Sequence, residues 1–332
     1  MNIQRTDRTQ HYDNTPEREP EAPKSRATAA QRAAERMESW IDGASDMTFA
    51  FQAAPSAAGA PAPATCGFGT AGSVVACGTE TVPGAALFVR GQGDADTVDA
   101  NDVKQGAIGD CHLLGPAMAM LQSPQGRARM QEMIKEVQHD GKTTYEVSFR
   151  IPVDRTIRER VSGAPAYKDV KVEVGQDFAK GHVATGDAEG GKTEVWPLVL
   201  EAAYAKLQGG HHEINGGIGT VGLANLTGKN AVEKTLEDRV FGYSASNLKK
   251  DFAAHKPMLI TFTCQGGNDR GAPAVPRFGA YGFHCYAVKD VFTKDGETFV
   301  QLKNPWGHSD PKPIPMRELE ALTPRVSIGQ LP

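Results

Sequence analysis

The stretch that most restricts how this chain can fold is Gln105-Gly-Ala-Ile-Gly-Asp-Cys111-His-Leu-Leu114. Gly106 and Gly109 permit a sharp backbone path, and an apolar run begins at once after it. Asp110 is a favoured N-cap type, so the pattern predicts a helix whose first residue is Cys111. Leu113, Leu114, Ala117, Met118 and Leu121 fall on one face of that helix. A sulfur at a helix N-terminus sits beside about half a positive charge, which favours thiolate over thiol. The Gln105 amide and the Cys111 N–H are then candidate donors to an oxyanion. The competing interpretation of Cys111 is a small buried hydrophobe, and only a base elsewhere in the chain argues against it.

That base is sought in the hairpin after Tyr281. One strand is predicted from about Phe283 to Phe292, with a return from Thr298 to Asn304 and Lys294-Asp295-Gly296 as the turn. A turn centred on Lys294-Asp295 sets His284 opposite position 305, and one centred on Lys294 sets it opposite Asn304. Either register brings an imidazole within reach of a carboxamide that can accept from one ring nitrogen and leave the other for a thiol. Trp306 is placed to cover that bond from water.

Elsewhere the pattern predicts helices over residues 29–41, 127–139 and 194–207, with Trp196, Leu200, Ala203, Tyr204 and Leu207 on one face of the last. Alternation predicts strands at Tyr145, Val147 and Phe149, at Val170, Val172 and Val174, and over residues 258–263. The His211-His212-Glu213 run reads as a solvated turn, and residues 266–277 as a polar loop suited to lining a cleft. Residues 1–85 read as a mostly disordered leader with one short helix, rich in Ala, Gly and Pro over 53–85, ahead of a catalytic domain over 86–332.

Composition narrows the function classes. Five cysteines, odd in number and without zinc-knuckle spacing, argue against a disulfide framework and against a structural metal. A net charge of −4 gives no sign of a nucleic-acid partner. No run of eighteen apolar residues predicts a membrane span, and the polar start is not a secretory signal peptide. The expectation is a monomer, cytoplasmic or exported without a cleavable signal.

In combination, the Gln105-to-Cys111 motif, WPLVLEAAYAKL over 196–207 with Gly216-Gly217 beyond it, His284, and Asn304-Pro-Trp-Gly307 resemble the calpain-type cysteine peptidase core over about 102–307. The resemblance implies an α+β, papain-like fold. An α-rich lobe (about 86–205) carries Cys111, a β-rich lobe (about 206–332) carries His284 and Asn304, and the cleft lies between them. It implies Cys111 as nucleophile, His284 as base and acid, Asn304 as orienter, Gln105 as oxyanion donor, and a protein as substrate. The family usually has Trp where this chain has His112, and Gly where it has Phe283. Animal relatives carry calcium sites. No EF-hand occurs here and no loop among Asp94, Asp96, Asp99 and Asp102 is assignable, so catalysis without a cofactor or obligatory calcium is expected. Transglutamination or deamidation by the same acyl chemistry, and a non-catalytic module on a peptidase core, are the competing functions.

Overall fold

A computed structural model describes residues 79–91, 94, 96–152, 167–179, 183, 189–236, 243–262, 276–322 and 324–332. The chain divides into two units, residues 1–48 and 49–332, and every described residue belongs to the second. The leader helix expected over 29–41, the loop over 266–277 up to position 275, and Cys66, Cys77 and Cys264 lie outside the described residues.

In chain order the elements are β1 (Thr79–Thr81), β2 (Ala85–Ala86), α1 (Cys111–Leu121), α2 (Pro124–Met133), β3 (Ile134–His139), β4 (Lys142–Pro152), β5 (Tyr167–Val174) and β6 (Asp177–Ala179). Then come β7 (Thr193–Glu194), α3 (Trp196–Gln208), α4 (Gly219–Thr227), β8 (Val232–Thr235), α5 (Ala245–Ala253) and β9 (Met258–Phe262). The chain closes with β10 (His284–Lys294), β11 (Glu297–Lys303), β12 (Ile314–Pro315), α6 (Met316–Ala321) and β13 (Arg325–Ile328). Helices and sheets are therefore mixed, as an α+β class requires.

Helix α1 begins at Cys111, and all eleven of its residues are buried rather than one stripe of them. A helix that is apolar all round belongs inside the protein, not on its surface. Pro116 sits within it and has no N–H to return to the His112 carbonyl. That carbonyl instead lies against Gly222 of α4, where any Cβ would overlap it.

Residues 134–139, expected at the end of a helix, form β3 instead. Helix α2 stops at Met133, and the chain turns at Asp140 (φ 50°) and Gly141 (φ 77°) into β4. Positive φ at both central residues is the two-residue hairpin turn whose twist suits antiparallel strands. Ile134 then pairs Val147 and Val137 pairs Thr144, so a short apolar spacing compatible with either period is decided by the partner strand. Strands β3, β4 and β5 make one antiparallel sheet.

The larger sheet runs β12-β11-β10-β9-β13-β8, every pair antiparallel. Strand β10 alternates between two buried clusters. Cys285 and Ala287 join the one that holds α1 and α3, while Tyr286 and Val288 join the one built on the sheet. The β10–β11 turn is Asp295 (φ 51°) and Gly296 (φ 78°), with Lys294 opposite Glu297, so neither anticipated register holds. A bulge at Lys289 shifts the ladder again. His284 pairs Phe262 of β9, and Asn304 lies just past the end of β11. Helix α3 starts at Trp196 with Pro197 in its first turn and ends on Gly209 at φ 104°. Glu194 belongs to β7.

Candidate active site

The loop before α1 is held from two sides. The Gln105 N–H donates to Pro305 O at 2.8 Å. The Gly109 N–H donates to Asn215 Oδ1 at 2.9 Å, and the Gly216 N–H returns to Gly109 O at 2.9 Å. Sequence reasoning missed Asn215, although its neighbours Gly216-Gly217 marked the segment. Gly217 leaves no room for a Cβ beside the buried His112 ring, so a small residue lets this segment lie on α1. Burial holds the His112 imidazole down to about 4, so it is neutral.

Asp110 does not cap α1 through its side chain, contrary to the expectation. Its backbone carbonyl accepts from the Leu113 and Leu114 N–H groups at 2.8 and 3.1 Å. The carboxyl is turned inward, 1% exposed, and is held well above the carboxylate range by burial first and by Glu201 second. Gln105 Nε2 donates to Ile108 O at 2.7 Å, which uses one of its two amide hydrogens.

His284 and Asn304 meet by side chain rather than by backbone register. Nε2 of His284 lies 2.8 Å from Asn304 Oδ1. Two contacts fix which end of that amide is oxygen: Oδ1 accepts from the Trp306 N–H at 3.1 Å, and Nδ2 donates to Ser309 O at 3.3 Å. An acceptor at Oδ1 requires the donor at Nε2, so the neutral ring carries its proton there and Nδ1 is its basic nitrogen. The Trp306 ring lies 4.7 Å from the imidazole, centroid to centroid, and the edge of Tyr286 approaches at 4.7 Å. The imidazole is 2% exposed, and burial holds it down to about 4.

Cys111 stands at the start of α1 against β10, 7% exposed. The Cys285 backbone, one residue after His284, hydrogen-bonds its sulfur. The charge state reverses the expectation. Burial pushes the thiol up, and that outweighs the backbone donors that favour thiolate. Burial thus shifts both groups toward their neutral forms, the Cys111 thiol upward and the His284 imidazole downward. A partial charge of about one half at a helix end does not offset removal of a full charge from water.

Two further carboxyls face each other beside this loop. Asp102 accepts from the Trp196 indole at 3.1 Å and the Asp99 N–H at 2.6 Å, and Glu194 accepts from the Val89 N–H at 3.0 Å. Burial raises both carboxyls above the usual carboxylate range, and the Asp102 charge raises Glu194 further. Among the described residues no group of three or more His, Cys, Asp or Glu could hold a metal. Asp96 is engaged by Arg127 at 3.1 Å.

Residues 92–312, more than half of the chain, match the family described as calpain family cysteine protease. The chain belongs to that family. It is 27% identical over 227 residues to calpain-type cysteine protease ADL1 of Oryza sativa subsp. japonica, covering 64% of this chain and 9% of that protein. It is 23% identical over 214 residues to calpain-7 of Sus scrofa (64% and 26%) and 25% identical over 221 residues to the calpain-2 catalytic subunit of Gallus gallus (62% and 28%). The chain thus spans less than a third of these calpains' own lengths. Family membership gives this chain a calpain-type cysteine protease core domain. No helix among the described residues is long and apolar enough to cross a membrane.

Proposed function

We propose that this chain is a cysteine endopeptidase acting through Cys111, His284 and Asn304, with Gln105 and the Cys111 N–H receiving the oxyanion. In this reading the lobe of Cys111 and the lobe of His284 and Asn304 flank a cleft for an extended polypeptide. The observation that carries it is the 2.8 Å bond from His284 Nε2 to Asn304 Oδ1, which leaves Nδ1 as the base.

The neutral resting pair sets the order of events. Substrate binds before charge separates. The Cys111 proton moves to Nδ1 as sulfur attacks the peptide carbonyl and the oxygen becomes an oxyanion. In this reading the Gln105 side-chain amide and the Cys111 N–H are the donors to it. The imidazolium returns the proton to the leaving amine as the C–N bond breaks, giving a thioester. Water, losing a proton to Nδ1, then displaces sulfur and releases the acid, and the imidazolium gives that proton to the Cys111 sulfur, restoring thiol and imidazole.

One prediction follows from the charge state. Alkylation of Cys111 by iodoacetamide requires thiolate, so its rate in the free protein should climb steadily from pH 7 to 9. A rate already flat from about pH 5 would mean a preformed thiolate–imidazolium pair and would overturn this order.

We also propose catalysis without calcium. Cleavage of an unfolded protein should stay within about twofold on adding calcium or a chelator, since no described step needs the ion. Many-fold stimulation by calcium, lost with the chelator, would refute it.

The function itself is tested by mass spectrometry of a protein mixture treated with wild type or with a Cys111 variant. New termini that depend on Cys111 support peptidase action. Deamidated or cross-linked glutamines without new termini would assign it to glutamine acyl transfer instead.

A further inference from the structure

We propose that Asp310 is a positioning residue for the His284–Asn304 pair, holding Asn304 by its backbone so that the carboxamide oxygen stays on the imidazole. This rests on the reading of Asn304 as the orienting group. Asn304 follows directly on β11, so no strand ladder fixes it. Its buried backbone N–H is taken by Asp310 Oδ1 at 2.8 Å, a bond strengthened by the charge on the acceptor. Lys303, only 8% exposed, places Nζ 3.9 Å from the other carboxylate oxygen.

The loop between them is built to return. The Gly307 N–H closes on Asn304 O at 3.1 Å, with Gly307 at φ 75° in a space that a Cβ would fill against Lys104. Ser309 sits at φ 58°, unfavourable for a residue with a Cβ, and its carbonyl receives Asn304 Nδ2. The carboxamide is therefore oriented by one bond at each end, and its backbone by Asp310. Without Asp310, a buried N–H loses its acceptor and the turn that aims Oδ1 loses its anchor.

The test measures kcat and KM for casein hydrolysis, with melting temperatures, for Asp310→Ala, Asp310→Asn, Asn304→Ala and the Asn304→Ala/Asp310→Ala double variant. Asp310→Ala should lower kcat about tenfold with KM within about twofold, the mark of an effect on the chemical step. Asp310→Asn keeps an acceptor oxygen and should restore kcat to within about threefold of wild type. Because Asp310 acts through Asn304, the double variant should be no slower than Asn304→Ala. Wild-type kcat in Asp310→Ala, failure of Asp310→Asn to restore it, or losses that multiply in the double variant would each overturn the proposal. If Asp310→Ala does not fold, Asp310→Ser, too short to reach the Asn304 N–H, replaces it under the same criteria. Full activity in Asn304→Ala would overturn the catalytic reading itself. A slow Asn304→Ala beside a fast Asp310→Ala would overturn only the positioning role.

Discussion

Cys111→Ala is expected to abolish turnover while leaving the fold intact. Removing a nucleophile eliminates the acyl-enzyme route entirely, and comparable deletions in enzymes of this mechanistic type cost roughly 10⁴-fold or more in kcat. The structural cost is small by contrast. Alanine fills most of the same volume at the start of a wholly buried helix, and the lost sulfur contacts are worth about 1 kcal/mol. The variant also lacks a thiol that burial already keeps protonated, so no charge is stranded. Melting temperature within a few degrees of wild type (the shift about 1 kcal/mol produces), together with loss of protein cleavage, is the expected result. Cleavage surviving at more than about one per cent of wild type, far above that expected loss, would remove Cys111 from the role.

Gly222→Ala is expected to be strongly disruptive for a single added methyl. On helix propensity alone it should stabilise α4 by up to about 1 kcal/mol. Packing predicts the reverse. The new Cβ would overlap the His112 carbonyl oxygen and lie 2.9 Å from Pro116 Cγ, both parts of a rigid buried helix. Neither is the far end of a flexible side chain, so α4 must move away from α1. A cost of about 2–4 kcal/mol is expected from such overpacking. Because α1 carries Cys111, kcat should fall by about tenfold or more through misplacement of the sulfur. Urea denaturation and casein hydrolysis measure both effects. A Gly222→Ala variant as stable as wild type would mean that the two helices do not approach this closely.

The two variants probe different links in one chain of causes. Pro116 removes a helical N–H, the freed carbonyl needs a neighbour without a side chain, and Gly222 meets that need. The proline in the helix of Cys111 is thus accommodated by a glycine more than a hundred residues later. Nothing in the local sequence around either residue discloses the pairing.

Features carried by short-range chemistry were legible in advance. The start of α1 at Cys111 follows from glycines ahead of an apolar run, the alternating Tyr145-Val147-Phe149 reads as β4, and Pro197 and Gly209 bracket α3. Features that depend on a partner strand were not. Residues 134–139 carry an apolar spacing that suits a helix or a strand, and pairing with β4 chose the strand. In the Lys294-Asp295-Gly296 run the need for positive φ at both turn residues selected Asp295 and Gly296. That choice, with the bulge at Lys289, leaves His284 paired with β9 and out of register with Asn304.

By itself, then, the sequence determined which groups with reactive chemistry the chain possesses and which local conformations bear them: a cysteine opening a helix, an imidazole on a strand and a carboxamide at a strand end. Only the tertiary structure decided the direction in which burial shifts them, the imidazole nitrogen that bonds Asn304, and the contacts that Asn215, Gly222 and Asp310 make around them. The reason is physical. Propensity and turn chemistry act over a few residues, whereas desolvation, hydrogen-bond pairing and close packing depend on groups that become neighbours only when distant segments fold together.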